Sequence, residues 1–261
     1  MKKRVLGCAL ALLCSGALLD LPLARADNAP STGSVSLAGF YLSGKYGHSK
    51  STDILYVPFT VRLQSGRFTW SATLPYLQIS GPGNVLPNIG SVGAGSNVRT
   101  TNSGMGDIRL GADYRVWSDN SSGVALTVGG RVKLGTADHA AGLGTGKNDY
   151  ALQLRLSRAT GKLYLAATAG YRKQGSPTGL QLRNVAYGKA DIIYSFSRSN
   201  SLGFSTFYDQ ASLATGTSLL TSALYFSHHL DDQWSATFFA MKGYTRNSPG
   251  YGAGISLSYG F

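Results

Sequence analysis

Glutamate is missing from this 261-residue chain, and cysteine occurs only twice, at Cys8 and Cys14. Charged side chains of all kinds make up just 14%. The loss of Glu removes a strong helix former, while 34 glycines and 15 tyrosines favour strands and turns. After residue 26 no stretch approaches the ~20 continuous apolar residues of a membrane-crossing helix. A helical membrane protein is thereby excluded, and so is any chemistry that needs a thiol outside the first 26 residues.

Those first residues read as an export signal. Lys2, Lys3 and Arg4 precede an apolar stretch from Val5 to Leu23, and Ala24-Arg25-Ala26 has the small-x-small form of a cleavage site. Cys14 lies inside the apolar stretch with no small residue just before it, which argues against a lipid-modified start. Residues 1–26 are therefore expected to be a signal peptide, and residues 27–261 a single unit of 235 residues. With Lys2, Lys3, Arg4, Arg25 and Asp20 removed, 20 basic side chains face 11 acidic ones, all Asp, for a net charge of +9.

What the chain does have is period-2 alternation from end to end. Leu55, Val57, Phe59, Val61 and Leu63 share one face of an extended segment, as do Phe68, Trp70, Ala72, Leu74 and Tyr76. With a first strand near Leu37 to Tyr46 and a last over Tyr251 to Phe261, the pattern predicts 12 strands. Connections alternate in length: Gln64 to Gly66 and Ala159 to Gly161 are short, Ser80 to Ser103 and Gly135 to Lys147 are long. The final segment, GYGAGISLSYGF, carries an apolar or aromatic residue at every second position with only Gly and Ser between. A strand that lies in hydrocarbon has that requirement on its outer face, and its backbone stays satisfied only if the sheet closes on itself. The expected fold is all-β: a transmembrane antiparallel up-and-down β-barrel of 12 strands, with short periplasmic turns and longer extracellular loops. A secreted sandwich or soluble barrel is the alternative.

Tyr56-Val57-Pro58-Phe59, Leu74-Pro75-Tyr76, SGPGNV from Ser80 to Val85 and SGMGDIRLGADYRVW from Ser103 to Trp117 resemble a known family. They are similar to outer-membrane barrels associated with the meta-cleavage pathway of phenol degradation. The match is detailed over residues 40 to 120 and elsewhere extends only to the strand pattern. The resemblance implies small, aromatic or otherwise hydrophobic solutes. The terminal Phe261 after alternating aromatics also resembles the signal by which bacteria recognise such barrels for assembly.

If the apolar faces meet lipid, the alternate faces line a lumen. Asp107, Arg109, Asp113, Arg115, Arg131, Lys133, Asp149, Arg155, Lys189 and Asp191 then point inward and make one half of the interior charged. The other half, with Phe207, Tyr225 and Phe239, is neutral and partly aromatic. Twelve strands leave a narrow or partly plugged bore. Its charges either satisfy one another and stiffen the wall, or form a constriction with a basic excess that favours neutral or anionic solutes. Pro58 and Pro75 fall on neighbouring strands, where each removes a ladder donor. Two readings stand: a kink that opens the wall sideways into the bilayer, or bulges near the outer rim.

Basic residues gather at the outer end: Lys50, Arg99, Lys147, Arg172, Lys173, Arg183, Lys242 and Arg246. Outer-membrane lipids, with the phosphates of lipopolysaccharide, are the expected partners, and a solvated rim without specific partners is the alternative; nucleic acid is not expected, given the export signal and the lack of a basic-aromatic platform. A catalytic reading finds little support, since the four histidines make no His-x-Ser pair. The His228-His229-Leu230-Asp231-Asp232 turn would sit on the periplasmic side, and its two neighbouring histidines are a weak metal signal. No catalytic residue, metal or cofactor is expected. The sequence points to a monomeric outer-membrane channel for passive uptake of small solutes, and the alternative is an outer-membrane barrel enzyme acting on lipids.

Overall fold

In the computed structural model the described residues are 31–82, 85–86, 89–91 and 98–261. The expected signal peptide and its cleavage point lie outside them. Regular structure among these residues is all strand. The first three strands are β1 (Thr32–Gly44), β2 (Thr52–Ser65) and β3 (Phe68–Gly81). A small hairpin, β4 (Val85–Leu86) with β5 (Gly90–Ser91), sits in the following loop. The fourth stave of the wall is in two pieces, β6 (Thr100–Met105) and β7 (Arg109–Asp119). Then come β8 (Val124–Lys133), β9 (Asp149–Thr160), β10 (Leu163–Lys173) and β11 (Val185–Ser195). The wall ends with β12 (Asn200–Asp209), β13 (Leu219–His229), β14 (Trp234–Gly243) and β15 (Tyr251–Gly260).

Each stave pairs antiparallel with its sequence neighbours, and β15 pairs with β1 from Ser34↔Gly260 to Ser43↔Tyr251. Gly33 and Phe261 exchange backbone hydrogen bonds of 2.8 and 2.9 Å at the seam. The twelve staves thus form a closed barrel with no free edge, so every stave has a neighbour on both sides. Short turns such as 66–67 and 161–162 lie at one end, with the start of β1 and Phe261. The long connections 82–99, 134–148 and 174–184 lie at the other, which is the extracellular end.

The first strand differs from its sequence-based bounds, running from Thr32 to Gly44 instead of Leu37 to Tyr46. Thr32 to Ser36 shows little apolar alternation, yet the ends of β2 and β15 give it partners. Tyr46 leaves the sheet at φ 47°, ahead of Gly47 at φ 86°, and the chain turns there.

Outward side chains are large and apolar: Leu37, Phe59, Leu110, Leu154, Phe204 and Phe238 are all exposed. Aromatic rings mark the two ends. Trp234, Tyr259 and Phe261 form a run at the periplasmic rim with centroids 5.0 and 6.4 Å apart, and Tyr150, Tyr171 and Tyr251 are exposed at the outer rim. Amphipathic rings favour these interfacial levels. Inside, glycines make room for aromatic partners: Gly203 pairs with Tyr225 and Gly170 with Tyr187, and a Cβ on either glycine would collide with its partner's ring.

The prolines stand opposite each other in mid-wall, and the β2–β3 ladder runs through Pro58↔Pro75 without a register shift. Their missing donors face the outer flanks of this hairpin. On the β1 side no pairing occurs between Leu37↔Phe59 and Phe40↔Tyr56. On the other side, three residues, Gly106 to Ile108, stand opposite two, Leu74 and Pro75. The extra residue makes a bulge, held by a 2.8 Å bond from the Gly106 N–H to the Pro75 carbonyl.

Candidate functional site: the barrel interior

Because adjacent staves are staggered, register-paired inward residues follow a rising path around the wall. One such path is Tyr164↔Ile193↔Gly203↔Tyr225↔Phe239↔Gly254↔Phe40↔Tyr56↔Leu77. Tyr164 lies near the periplasmic end of its strand and Leu77 in the outer half of its own, so the path joins the two halves of the lumen. Its non-glycine members belong to the buried apolar cluster. Phe40 packs edge-on against Phe239 at 4.8 Å and stacks with Tyr56 at 6.1 Å.

The charged residues occupy neighbouring paths. Arg131 donates to Asp113 at 2.7 Å and also bonds the Gly130 carbonyl. Lys189 pairs with Asp191 at 2.8 Å, and Arg155 approaches the same carboxylate at 3.7 Å while donating to the Tyr164 hydroxyl. Arg109 lies over the Tyr56 ring at 6.0 Å, within cation–π range. Arg115 is buried in the same wall. Of the ten charged residues singled out from the sequence, eight join in ion pairs around Asp107, Asp113, Asp149 and Asp191, while Arg109 lies over Tyr56 and Arg115 is buried.

The most connected group is at the outer end. Lys133 lies 3.1 Å from both Asp107 and Asp149, and donates to the Thr145 hydroxyl at 3.0 Å. Asp107 is carried inward by the bulge at Gly106 to Ile108, and its other oxygen accepts the Ala137 N–H at 3.0 Å. Ala137, Leu143 and Thr145 belong to the long connection 134–148 and are buried. That connection therefore folds into the mouth of the barrel, where Leu143 and Val85 join the same cluster as Phe40 and Leu77. The SGMGD motif thus has a local physical role, in which its glycines allow the bulge and the close approach of Leu143, and its Asp anchors the loop.

Several interior residues escaped sequence reasoning. Phe40, Leu42, Ile54, Tyr56 and Leu77 point inward, but β1 to β3 are apolar on both faces, so alternation could not separate lumen from lipid. Arg172, expected in or beside an outer loop, lies at the outer end of β10, where it bonds Asp209 at 2.5 Å and its guanidinium sits over the Tyr187 ring at 5.8 Å. Strand parity would have found it. Of the histidines, His48 and His139 lie in outer connections, whereas His228 and His229 end β13 at the periplasmic rim, where His228 contacts Asn200 at 2.7 Å.

A closed twelve-stave barrel with a lipid-compatible exterior and a loop-capped interior defines a protein of the outer-membrane β-barrel class. Solved structures agree on the fold. An outer membrane channel from Pseudomonas putida F1 superposes with a TM-score of 0.63 at 14% identity, covering 93% of this chain and 100% of that one. The KdgM porin, solved in complex with disordered oligogalacturonate, gives 0.53 at 14% identity, covering 87% and 99%. The translocator domain of the autotransporter NalP from Neisseria meningitidis gives 0.50 at 12%, covering 92% and 90%. No curated protein matches by sequence. Residues 25–261 match the family described as the putative MetA-pathway of phenol degradation, and the chain belongs to that family.

Proposed function

We propose that this barrel is a passive, monomeric, non-catalytic channel for small hydrophobic solutes, aromatic ones included, across the outer membrane. The observation that carries the reading is the rising apolar path from Leu77 through Tyr56, Phe40, Phe239 and Tyr225 to Tyr164. A solute with a flat apolar ring exchanges contact with these side chains for contact with its neighbours at little cost, whereas a hydrated sugar gains nothing there. The flanking ion pairs rigidify the wall, and the loop 134–148 gates the outer mouth. Liposome swelling separates the possibilities: aromatic acids should enter faster than sugars of equal size. Equal rates would reject the hydrophobic assignment, and no entry of either would reject a channel.

A second reading of the interior rests on its basic excess, with Arg131 and Lys133 favouring anionic solutes. Replacing both with Gln should lower anion preference in planar-bilayer recordings, and unchanged selectivity would reject it. The ladder gaps that flank Pro58 and Pro75 support a sideways exit for apolar solutes into the bilayer. A disulfide engineered across either gap should then slow apolar solutes and leave ion conductance intact. The basic outer rim favours contact with lipopolysaccharide phosphates, although Arg99 is engaged by Asp53 and Arg172 by Asp209. Export is by a signal peptide cleaved after Ala26, which sequencing of the mature N-terminus tests.

A further inference from the structure

An open groove of about 830 Å³ crosses the lipid-facing side of the wall over β2, β3 and β7 to β10. It exists because outward side chains shrink there. Along one register path, Trp70↔Ala112↔Gly130↔Leu152↔Tyr171, the positions Ala112 and Gly130 are small between large flanks. A Cβ on Gly130 would meet nothing within 4 Å. Trp70 lies near the periplasmic end of β3 and Tyr171 near the outer end of β10, so the groove runs obliquely through the membrane.

Its outer end is positively charged. Lys173 closes β10 beside Tyr150, and Lys147 approaches the same segment, since a Cβ on Gly175 would lie 2.6 Å from the Lys147 Cβ. Both lysines are exposed, and neither has a carboxylate partner among the described residues. The adjacent Asp149 is occupied by Lys133 and by the Gly175 N–H. An apolar depression in hydrocarbon forfeits dispersion contacts unless a chain fills it, and two unpaired ammonium groups at its upper end attract an anionic head.

We infer that this groove is a lipopolysaccharide site, holding an acyl tail along Ala112 and Gly130 with a lipid A phosphate between Lys147 and Lys173. The assignment rests on the orientation that puts the long loops outside, and it is independent of what the lumen conducts. A second copy of the barrel is a poorer occupant: its convex wall cannot reach a concave floor, and it would cover two lysines without offering them a fixed anion.

The test uses the full-length protein, stripped of lipid in detergent and titrated with lipid A or with phosphatidylglycerol under native mass spectrometry. One lipid A should be retained, at least ten-fold more tightly than phosphatidylglycerol. Filling the floor with Ala112→Leu and Gly130→Leu should weaken that retention ten-fold or more, and so should Lys147→Glu with Lys173→Glu, which leaves the apolar floor at Ala112 and Gly130 unchanged. Equal retention of the two lipids, or unchanged retention in the lysine variant, overturns the proposal. So does a dimer that dissociates when the floor is filled. Slower solute flux through the filled variant with lipid A still bound would make the groove part of the solute path and likewise overturn it.

Discussion

Replacing Lys133 with Met tests the loop-capped mouth directly. The ammonium lies 3.1 Å from each of two carboxylates and is largely shielded from water. At an effective dielectric of ~20, each attraction is worth roughly 5 kcal/mol before desolvation, which offsets most of it. The variant keeps Asp107 and Asp149 buried, each with one backbone N–H, from Ala137 and Gly175 respectively. Leaving uncompensated buried charge in this way costs about 3–5 kcal/mol. Neutralising the whole group, with Lys133→Met, Asp107→Asn and Asp149→Asn together, should return to within about 1 kcal/mol of the native barrel, because no charge is then stranded. Urea unfolding from lipid vesicles, followed by tryptophan fluorescence, measures both values. In planar bilayers the single variant should also raise conductance, since the loop 134–148 loses the bond that Thr145 accepts from Lys133 and keeps only the one from Ala137 to Asp107. A single variant within about 0.5 kcal/mol of native with unaltered conductance would refute the argument.

Three further outcomes follow from particular residues. Leu154→Arg, on the outer face in the middle of β9, should cost about 2–4 kcal/mol in vesicles; a cost below about 0.5 kcal/mol would mean that this face meets water. Gly203→Ala should destabilise by about 1–3 kcal/mol by driving a methyl group into the Tyr225 ring, and a double-mutant cycle with Tyr225→Ala should show coupling. At the periplasmic rim, N–H donation from Trp234, then Gln233, holds the Asp231 carboxyl below its usual value. The turn is thus stabilised above the ordinary carboxylate pKa of ~4 and loses that stabilisation as pH falls through the depressed value. Asp231→Asn should flatten the pH dependence of amide protection in this turn, and an unaltered profile would refute the assignment.

Much of the architecture was legible because a barrel wall has only local rules. Alternation sets the face, turn residues set the breaks, and neighbours in sequence are neighbours in space. Leu152, Leu154 and Leu156 declare a lipid face without any knowledge of the far wall. The break at Gly106 to Ile108 was not legible, because an extra residue is recognised only against the two it opposes, Leu74 and Pro75. Of the inward aromatic path, Tyr225 and Phe239 were legible from alternation, whereas Phe40 and Tyr56 were not, since they sit in strands that are greasy on both sides.

The sequence by itself therefore determined the strand count, the orientation and the lipid-facing ribs, all of which depend on contacts of short range or on periodicity. Only the tertiary structure decided which carboxylate holds which cation, that a loop enters the mouth, and that small outward residues from several strands align into one groove. These depend on the stagger between staves. Stagger is a property of the closed cylinder as a whole, and no single segment carries it.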